Sequence, residues 1–533
     1  MASTALVLLV CVAVAGQLNY VEGQTDPGEC DVNINKPRTP EFQKNLDDIA
    51  IRDADPEYWR NQARATMKDA INLSENLNKN TAKNVILFIG DGMSITTVTG
   101  ARILKGQKLD MPGEEGFLSF EEFPYVGMSK TYNVDMQVSD CASTATAILT
   151  GVKTKSRVVG LSGAAVPGDC SSAKGNEVKS ILTEAKEAGW NVGIVTTAAL
   201  VGNTPAATYA HSPDADWKLE IPADQTNCDV DDIAKQFVGN DVEIDVALGG
   251  GRHYFMRNDQ TDPEDSSVKG GRTDGADLIQ AWQTKYGALG STSYVTNKAA
   301  LQSVSASTDY VLGLFNTFDM SYNEGKPDKE PSLTEMVETA LQLLQNKNQN
   351  YFLLVEGAHI DTGHHENKVG RALHETLAMD AAVQKAMAMT SKTDTMVIVT
   401  ADHGHTMTMA GYPCRGQPIL GKVYAKEEFA TISDGRAYTQ LGYVNGPSAV
   451  AVQQSFINSD GRPRIDAVDT EDLDYQAQSL VPLLEETHGG EDVQIFASGP
   501  HAHLAQGVHE QSYVNTLISY GACLGRYSAR LGC

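Results

Sequence analysis

The chain is short of positive charge: 42 Lys and Arg stand against 68 Asp and Glu, a formal net charge of -26. No basic stretch is dense enough to overcome that field, so nucleic acid is not an expected partner, and the acidity reads as a solubility feature. Membrane-spanning apolar runs are missing too. The apolar segment at residues 5–16 is too short to cross a bilayer and ends in small residues, which predicts a secretory leader cleaved near Ala15 or Gly16, although no Lys or Arg precedes it. No later run reaches spanning length, and the sequence stops at Gly532-Cys533 without an apolar tail; the expected product is secreted, extracellular and free of a membrane anchor. Cysteine is sparse. Of eight, Cys11 falls in the leader, and the remaining odd number leaves at least one thiol free or intermolecular even where secretion permits disulfides. Neither an internal repeat nor a low-complexity tract interrupts the chain.

What the sequence does contain is a recurring junction of apolar run and metal-ligand side chains. Residues 351–355 form a continuous apolar run, short enough for a strand buried on both faces, and it leads into Glu356, Asp361, His364 and His365. Residues 395–400 repeat the design and end in Asp402, His403 and His405; residues 84–89 end in Gly90-Asp91-Gly92, where glycines let the backbone turn tightly around one carboxylate. His488 adds a further imidazole. A parallel α/β sheet brings the carboxyl ends of its strands to the crevice where ligands bind. Carboxylates and imidazoles without cysteine in these motifs suit zinc at nitrogen-rich positions and magnesium at oxygen-rich ones.

In chain order, residues 17–50 read as an irregular N-terminal arm, rich in Pro, Asp and Asn up to Thr39. Asp55-Pro56-Glu57 opens a helix, on which Asn72-Leu73-Ser74 is a sequon that could carry a glycan. Helical segments then alternate with apolar strands at residues 85–89, 192–196, 244–248 and 351–355, which predicts an α/β fold with a mostly parallel central sheet flanked by helices on both faces. Residues 372–389 form a buried helix whose methionines are core filler. Residues 51–533 make one domain, within which residues 409–474, rich in Gly, Pro and Tyr, read as a loop-rich insertion. Asp140 and Cys141 stand at the start of an Ala-rich helix, a position whose unpaired backbone donors suit an anion or an activated nucleophile.

With these motifs assembled, the chain resembles the animal-type alkaline phosphatases. The resemblance rests on Gly90-Asp-Gly-Met-Ser94, Val355-Glu-Gly357, Ile360-Asp-Thr-Gly-His-His365, Thr400-Ala-Asp-His-Gly-His405 and Thr487-His-Gly-Gly-Glu-Asp-Val493. It implies one zinc on Asp361, His365 and His488, a second on Asp91, Asp402 and His403, and a magnesium on Asp91, Thr204 and Glu356. A fourth, calcium-like site would involve Glu264, Phe315, Asn316 and Glu330, with Asn316 where the family has an acid. The resemblance further implies phosphate monoesters as ligands, a homodimer, and disulfides joining Cys170 to Cys228 and Cys523 to Cys533; Cys30 and Cys414 are left unpaired or joined to each other.

The resemblance breaks where the phosphoryl group would be handled. Cys141 takes the place of the family's nucleophilic serine, Ala215 that of its phosphate-clamping arginine and Gly202 that of a histidine, while His359 and Thr362 also depart. Ser143 is no substitute, because two residues along a helix turn the side chain to nearly the opposite face. Cys141 can act as a thiolate nucleophile, as a zinc ligand in the phosphate's place, or as a small buried residue without a role. Two functions follow: a phosphomonoesterase with impaired or altered chemistry, or a non-catalytic binding or structural protein that keeps its metals.

Overall fold

The computed structural model describes residues 39–225, 228–239, 242–423, 434–458 and 461–533. The expected leader, the arm up to residue 38 and Cys30 lie outside the described residues.

Ten strands form one sheet: β1 Asn84–Gly90, β2 Tyr125–Lys130, β3 Asn191–Ala199, β4 Val246–Gly250, β5 Thr292–Val295, β6 Tyr310–Leu314, β7 Tyr351–Gly357, β8 Thr395–Ala401, β9 Val493–Ser498 and β10 Gly507–Glu510. They lie in the order β10-β2-β9-β8-β1-β7-β3-β4-β6-β5. All neighbours are parallel except the two pairs that β9 makes with β2 and β8. The helices used below are α1 Pro40–Asp53, α2 Pro56–Glu75, α3 Ile95–Gln107, α4 Cys141–Thr150, α5 Asn203–Ala206, α6 Leu333–Asn346, α7 His359–His365, α8 Val369–Met389, α9 Ser448–Ile457 and α10 Tyr513–Ala522.

The sheet is apolar on both faces because its strands read as unbroken apolar runs and their side chains alternate. Val85, Leu87 and Ile89 of β1, with Phe352 and Leu354 of β7, face the core that holds Ala145, Ile148 and Leu149 of α4 and Leu517 and Ile518 of α10. Ile86 and Phe88, with Leu353 and Val355, face the opposite core with Val98 and Leu104 of α3, Val337 and Leu341 of α6, and Leu373 and Met379 of α8. Each such buried side chain contributes about 1.5–3 kcal/mol of transfer free energy.

The three strands that end in ligand-type side chains are neighbours at the sheet's centre. In register, Gly90 of β1 lies beside Gly357 of β7 on one side and Ala401 of β8 on the other. The motifs of residues 90–92, 356–365 and 402–405 therefore leave the sheet at one level.

Two expectations are corrected. Residues 40–50 are helical rather than irregular: Thr39 caps α1 through the Phe42 N–H, Pro40 opens it, and Glu41 and Arg52 match its dipole. His364 does not belong with the ligand side chains; it turns from them, with Nε2 at 3.0 Å from the Thr97 hydroxyl and Nδ1 at 2.8 Å from the Tyr443 hydroxyl. Within residues 409–474, the described strands are two-residue pieces that pair with one another or with nearby segments, never with the ten-stranded sheet, and α9 is the one helix described there. Cys170 is bonded to Cys228 and Cys523 to Cys533, Cys414 is in a disulfide, and Cys141 is free.

Candidate metal centre

The centre is built from the loops that follow β1, β7 and β8. Gly92 turns the chain after Asp91 with φ of 70°, and a Cβ there would lie 2.3 Å from His405 Nε2, so this position needs glycine for both conformation and space. β7 runs into the short helix α7, whose Asp361 and His365 are four residues apart and so share a face. The loop after β8 supplies Asp402 and His403. His488 comes from a short strand paired with Gly404 and His405, which closes the crevice from a distant part of the chain.

Three imidazoles are fixed with the same nitrogen inward. Nδ1 of His365 donates to the Glu486 carbonyl at 2.5 Å and Nδ1 of His488 to the Ser139 carbonyl at 2.7 Å; that of His403 faces the Gly404 carbonyl at 3.3 Å. Each tautomer leaves Nε2 as a lone pair aimed into the centre. Nε2 of His365 and Nε2 of His488 lie 3.2 Å apart, and each lies within 3.5 Å of an Asp361 oxygen. Two lone pairs facing at that distance repel unless a cation sits between them.

The second cluster joins it. His403 Nε2 is 3.5 Å from Asp91 Oδ1 and 3.2 Å from Asp402 Oδ2. Asp402 is aimed by the N–H of Gly92 at 3.0 Å and by the Thr144 hydroxyl at 3.1 Å. Cys141, the first residue of α4, places Sγ 3.3 Å from His403 Nε2 and 3.7 Å from Asp91 Oδ1. Three overlapping groups each bring their ligand atoms within 4.8 Å of one another: Asp361, His365, His405 and His488; Asp91, Cys141, Asp402 and His403; and Cys141, Asp361, His403 and His488. Glu356, on the face of β7 that also carries Leu354, accepts from the Thr196 hydroxyl on β3. Thr204, in α5 just beyond Gly202, turns a buried hydroxyl toward the Glu356 carboxylate.

Without a cation the centre is electrostatically frustrated. Burial and then the neighbouring Asp402, Asp361 and Glu356 push Asp91 well above the usual carboxylate range; burial lifts Asp402 and carries Glu356 to about 7. Burial, then Asp91, Asp361 and Asp402, push the Cys141 thiol up. His403 and His488 are held down at about 3 by burial. Burial works against charge on Asp361, but the His365 and His405 imidazoles hold its carboxyl well below its ordinary value. A bound dication reverses this pattern by stabilising every deprotonated ligand.

Sequence reasoning left several residues without a role. His405 is buried with Nε2 on Asp361 at 2.8 Å and Nδ1 on Glu486 at 2.5 Å. Glu486 also accepts from the Thr406 N–H at 2.7 Å. Nothing in the pattern separates Glu486, which is buried, from its neighbour Glu485, which is exposed. Thr144 could have been found, since it lies three residues after Cys141 on one helix face.

The positions where the sequence departs from the resemblance are bound into the fold differently. Ala215 is buried, its N–H on the Arg157 carbonyl at 2.8 Å, and the Arg157 guanidinium is drawn to Asp214 and Asp216 at 2.7 Å each. Ser143 is turned to Asp140 at 2.5 Å and to Asn133 at 2.9 Å. His359 is buried with Nε2 on the Met320 carbonyl at 2.5 Å. The side chains of the calcium-like set are engaged with neighbouring residues. Asn316 donates its amide to Glu330 at 2.9 Å, and Glu264 accepts from Thr296 and Asn297 and lies 3.7 Å from Lys329 Nζ.

Fold and centre define an α/β protein that gathers carboxylates and imidazoles for metal ions at the carboxyl edge of a parallel sheet. A family model described as Alkaline phosphatase matches residues 82–524. The chain is 47% identical over 484 residues to the tissue-nonspecific alkaline phosphatase of Mus musculus, covering 90% of each chain, and 45% identical over 482 residues to the alkaline phosphatase of Gadus morhua, covering 89% of this chain and 98% of that one. The alkaline phosphatase from the Antarctic bacterium TAB5 shares the fold with a TM-score of 0.58 at 22% identity, covering 83% of this chain and 99% of that chain; the one from Thermus thermophilus does so with 0.59 at 21%, covering 84% and 92%. The chain belongs to the alkaline phosphatase family.

Proposed function

We propose that the protein is a secreted, metal-loaded homodimer directed at phosphate monoesters, whose hydrolysis is impaired because Cys141 and Ala215 stand where the family's nucleophile and clamp belong. The observation that carries the metal reading is the pair of inward Nε2 atoms of His365 and His488 at 3.2 Å, with Asp361 beside them. Asp361, His365 and His488 suit a first zinc, Asp91, Asp402 and His403 a second, and the Thr204 hydroxyl beside Glu356, with Asp91, suits magnesium. When bound, such ions act as Lewis acids that stabilise the attacking and leaving oxygens of a displacement at phosphorus.

The chain's own residues do the rest, and here they fall short. Cys141 offers sulfur in place of oxygen, and sulfur's larger radius displaces it from in-line attack. Ala215 offers no donor to the equatorial phosphoryl oxygens; loss of one preorganised donor of this kind costs roughly 100-fold to 1000-fold in rate. Arg157 is the nearby guanidinium, but two carboxylates engage it. That engagement, with the burial of Ala215, favours the second reading, a catalytically silent binding protein. A homodimer fits helix α2, which buries none of its own residues and exposes Trp59, Met67 and Ile71.

The test is metal analysis of purified protein together with hydrolysis of an aryl phosphate from neutral to alkaline pH. The expected result is about two zinc and about one magnesium per chain with weak turnover. Absence of zinc after zinc-replete expression overturns the metal reading. Turnover at ordinary enzymatic rates, about 10 per second, overturns the impairment. Light scattering that finds a monomer overturns the dimer.

A further inference from the structure

We infer that Cys141 closes the second metal site. Its sulfur completes a four-ligand tetrahedral set with Asp91, Asp402 and His403, which makes this a structural zinc site with no position for a phosphoryl oxygen and leaves open coordination only at Asp361, His365 and His488. The inference rests on the metal-loaded reading above and goes beyond it, because it assigns the two sites different jobs.

Four of the six edges of the set match a coordination shell. Around tetrahedral zinc with bonds of about 2.0–2.1 Å to nitrogen and oxygen and about 2.3 Å to sulfur, neighbouring N and O ligands lie about 3.3 Å apart and those involving sulfur about 3.6 Å. The observed edges are 3.2 Å and 3.5 Å from His403 Nε2 to Asp402 and Asp91, and 3.3 Å and 3.7 Å from Cys141 Sγ to His403 and Asp91. All four ligand atoms lie within 4.8 Å of one another. Structural zinc sites have four protein ligands, whereas catalytic ones keep a position open.

Cys141 is also held in place. Asp140 caps α4 by accepting from the Ser143 N–H and hydroxyl, and the Thr144 hydroxyl, one turn on from Cys141, donates to Asp402. The helix start is thereby docked against another ligand of the same set. On loading, the sulfur–metal bond forms as the thiol proton passes to solvent. Three anionic ligands around one dication leave a negative centre, which repels a phosphate dianion as well as blocking it.

Cys141 Sγ lies within 4.8 Å of Asp361 and His488 too, but its edges of 3.3 Å and 3.7 Å run to His403 and Asp91, which leaves the first group, Asp361, His365, His405 and His488, to supply its own fourth ligand. His405 is the remaining member of that group, and both its ring nitrogens are already bound to carboxylates, Nε2 to Asp361 and Nδ1 to Glu486. Asp361, His365 and His488 are left as a three-ligand set with edges of 3.2 Å, 3.3 Å and 3.5 Å.

The experiment uses the full chain loaded with zinc and reads X-ray absorption at the zinc edge for wild type, Cys141→Ser and Cys141→Ala, with phosphate binding measured by calorimetry on the same samples. Wild type is expected to show a zinc–sulfur distance of about 2.3 Å that both variants lose while retaining their zinc. With cobalt in place of zinc, a thiolate charge-transfer band should appear in wild type alone. Cys141→Ala should bind inorganic phosphate about tenfold or more tighter than wild type, because a coordination position opens. A zinc shell of nitrogen and oxygen only, in a protein that carries its zinc, overturns the inference while leaving the metal-loaded reading intact. A zinc–sulfur bond with phosphate affinity unchanged in Cys141→Ala overturns the exclusion of phosphate. Protein that takes up no zinc at all overturns the metal-loaded reading itself.

Discussion

The two halves of the crevice differ in how deeply they are tied into the fold. On the ligand-bearing half, three of the side chains are aimed by distant parts of the chain: His365 by the Glu486 carbonyl, His488 by the Ser139 carbonyl, Asp402 by Gly92 and Thr144. These bonds join segments more than a hundred residues apart, so removing a ligand also loosens the loops that close the sheet's carboxyl edge. On the half proposed to handle the phosphoryl group, Ala215 packs into the apolar core, and among the described residues the Cys141 thiol reaches Asp91 and His403. A side chain whose partner is the substrate can be exchanged at little structural cost, and one whose partners hold loops together cannot.

The largest expected effect comes from breaking the ligand half outright. Stripping the metals with a chelator leaves buried carboxylates facing one another and should lower unfolding free energy by about 3–5 kcal/mol or more, read by chemical denaturation. The Glu356 contribution to its pH dependence has a definite sign. Glu356 has its carboxyl raised to about 7 in the metal-free fold from an ordinary 4.5, so the folded state binds its proton more tightly than the unfolded chain. That contribution is fully present below about 4.5 and is lost as pH rises through about 7. His403 and His488, held at about 3, act in the opposite sense up to about 6.5, so the Glu356 share is read as the difference in pH dependence between metal-free wild type and Glu356→Gln; a wild type that gains stability relative to the variant from about 4.5 to about 7 would contradict this reading.

Restoring the phosphoryl half comes next. Cys141→Ser with Ala215→Arg should raise kcat/KM for an aryl phosphate by about 100-fold or more, with each single change giving less, because a clamp is of little use without a productive attack. If the metal-loaded double variant remains inactive, the crevice has diverged beyond these two positions and the binding-protein reading gains. A lower rate in Cys141→Ser alone, set against substantial wild-type turnover, identifies the thiolate as a working nucleophile.

The support network allows a finer cut. Glu486→Gln weakens the hold on His405 and should reduce zinc affinity by about 10-fold to 100-fold, measured by competition with a chromophoric chelator. The smallest effect is expected of Thr144→Val, which removes one hydroxyl from the Asp402 carboxylate and should cost about 1–2 kcal/mol in the loaded protein's stability.

Much of this was legible in the sequence, and the elements show why. The apolar runs of β1, β7 and β8 identify themselves as buried strands by length and β-branched content, and the carboxylates and imidazoles sit directly behind them, because an element and the residue that follows it are neighbours in the chain. The same local rule misplaced residues 40–50, where Thr39 and Pro40 are helix-start signals that the polar composition before them obscured. It also grouped His364 with His365, since three and four residues from Asp361 both fall near one helix face and only packing against Thr97 and Tyr443 separates them.

By itself, then, the sequence determined which segments are strands, which residue types end them, and the chemistry those residues can perform, all properties of a few consecutive residues and their spacing. Tertiary structure alone decided that β8, β1 and β7 lie side by side in register, that Glu486 rather than Glu485 turns inward, and that Cys141 Sγ arrives at 3.3 Å from His403 Nε2. These depend on pairings between residues 81 to more than 300 positions apart. Such pairings are fixed by the packing of two cores against one sheet, and no local window of sequence encodes them.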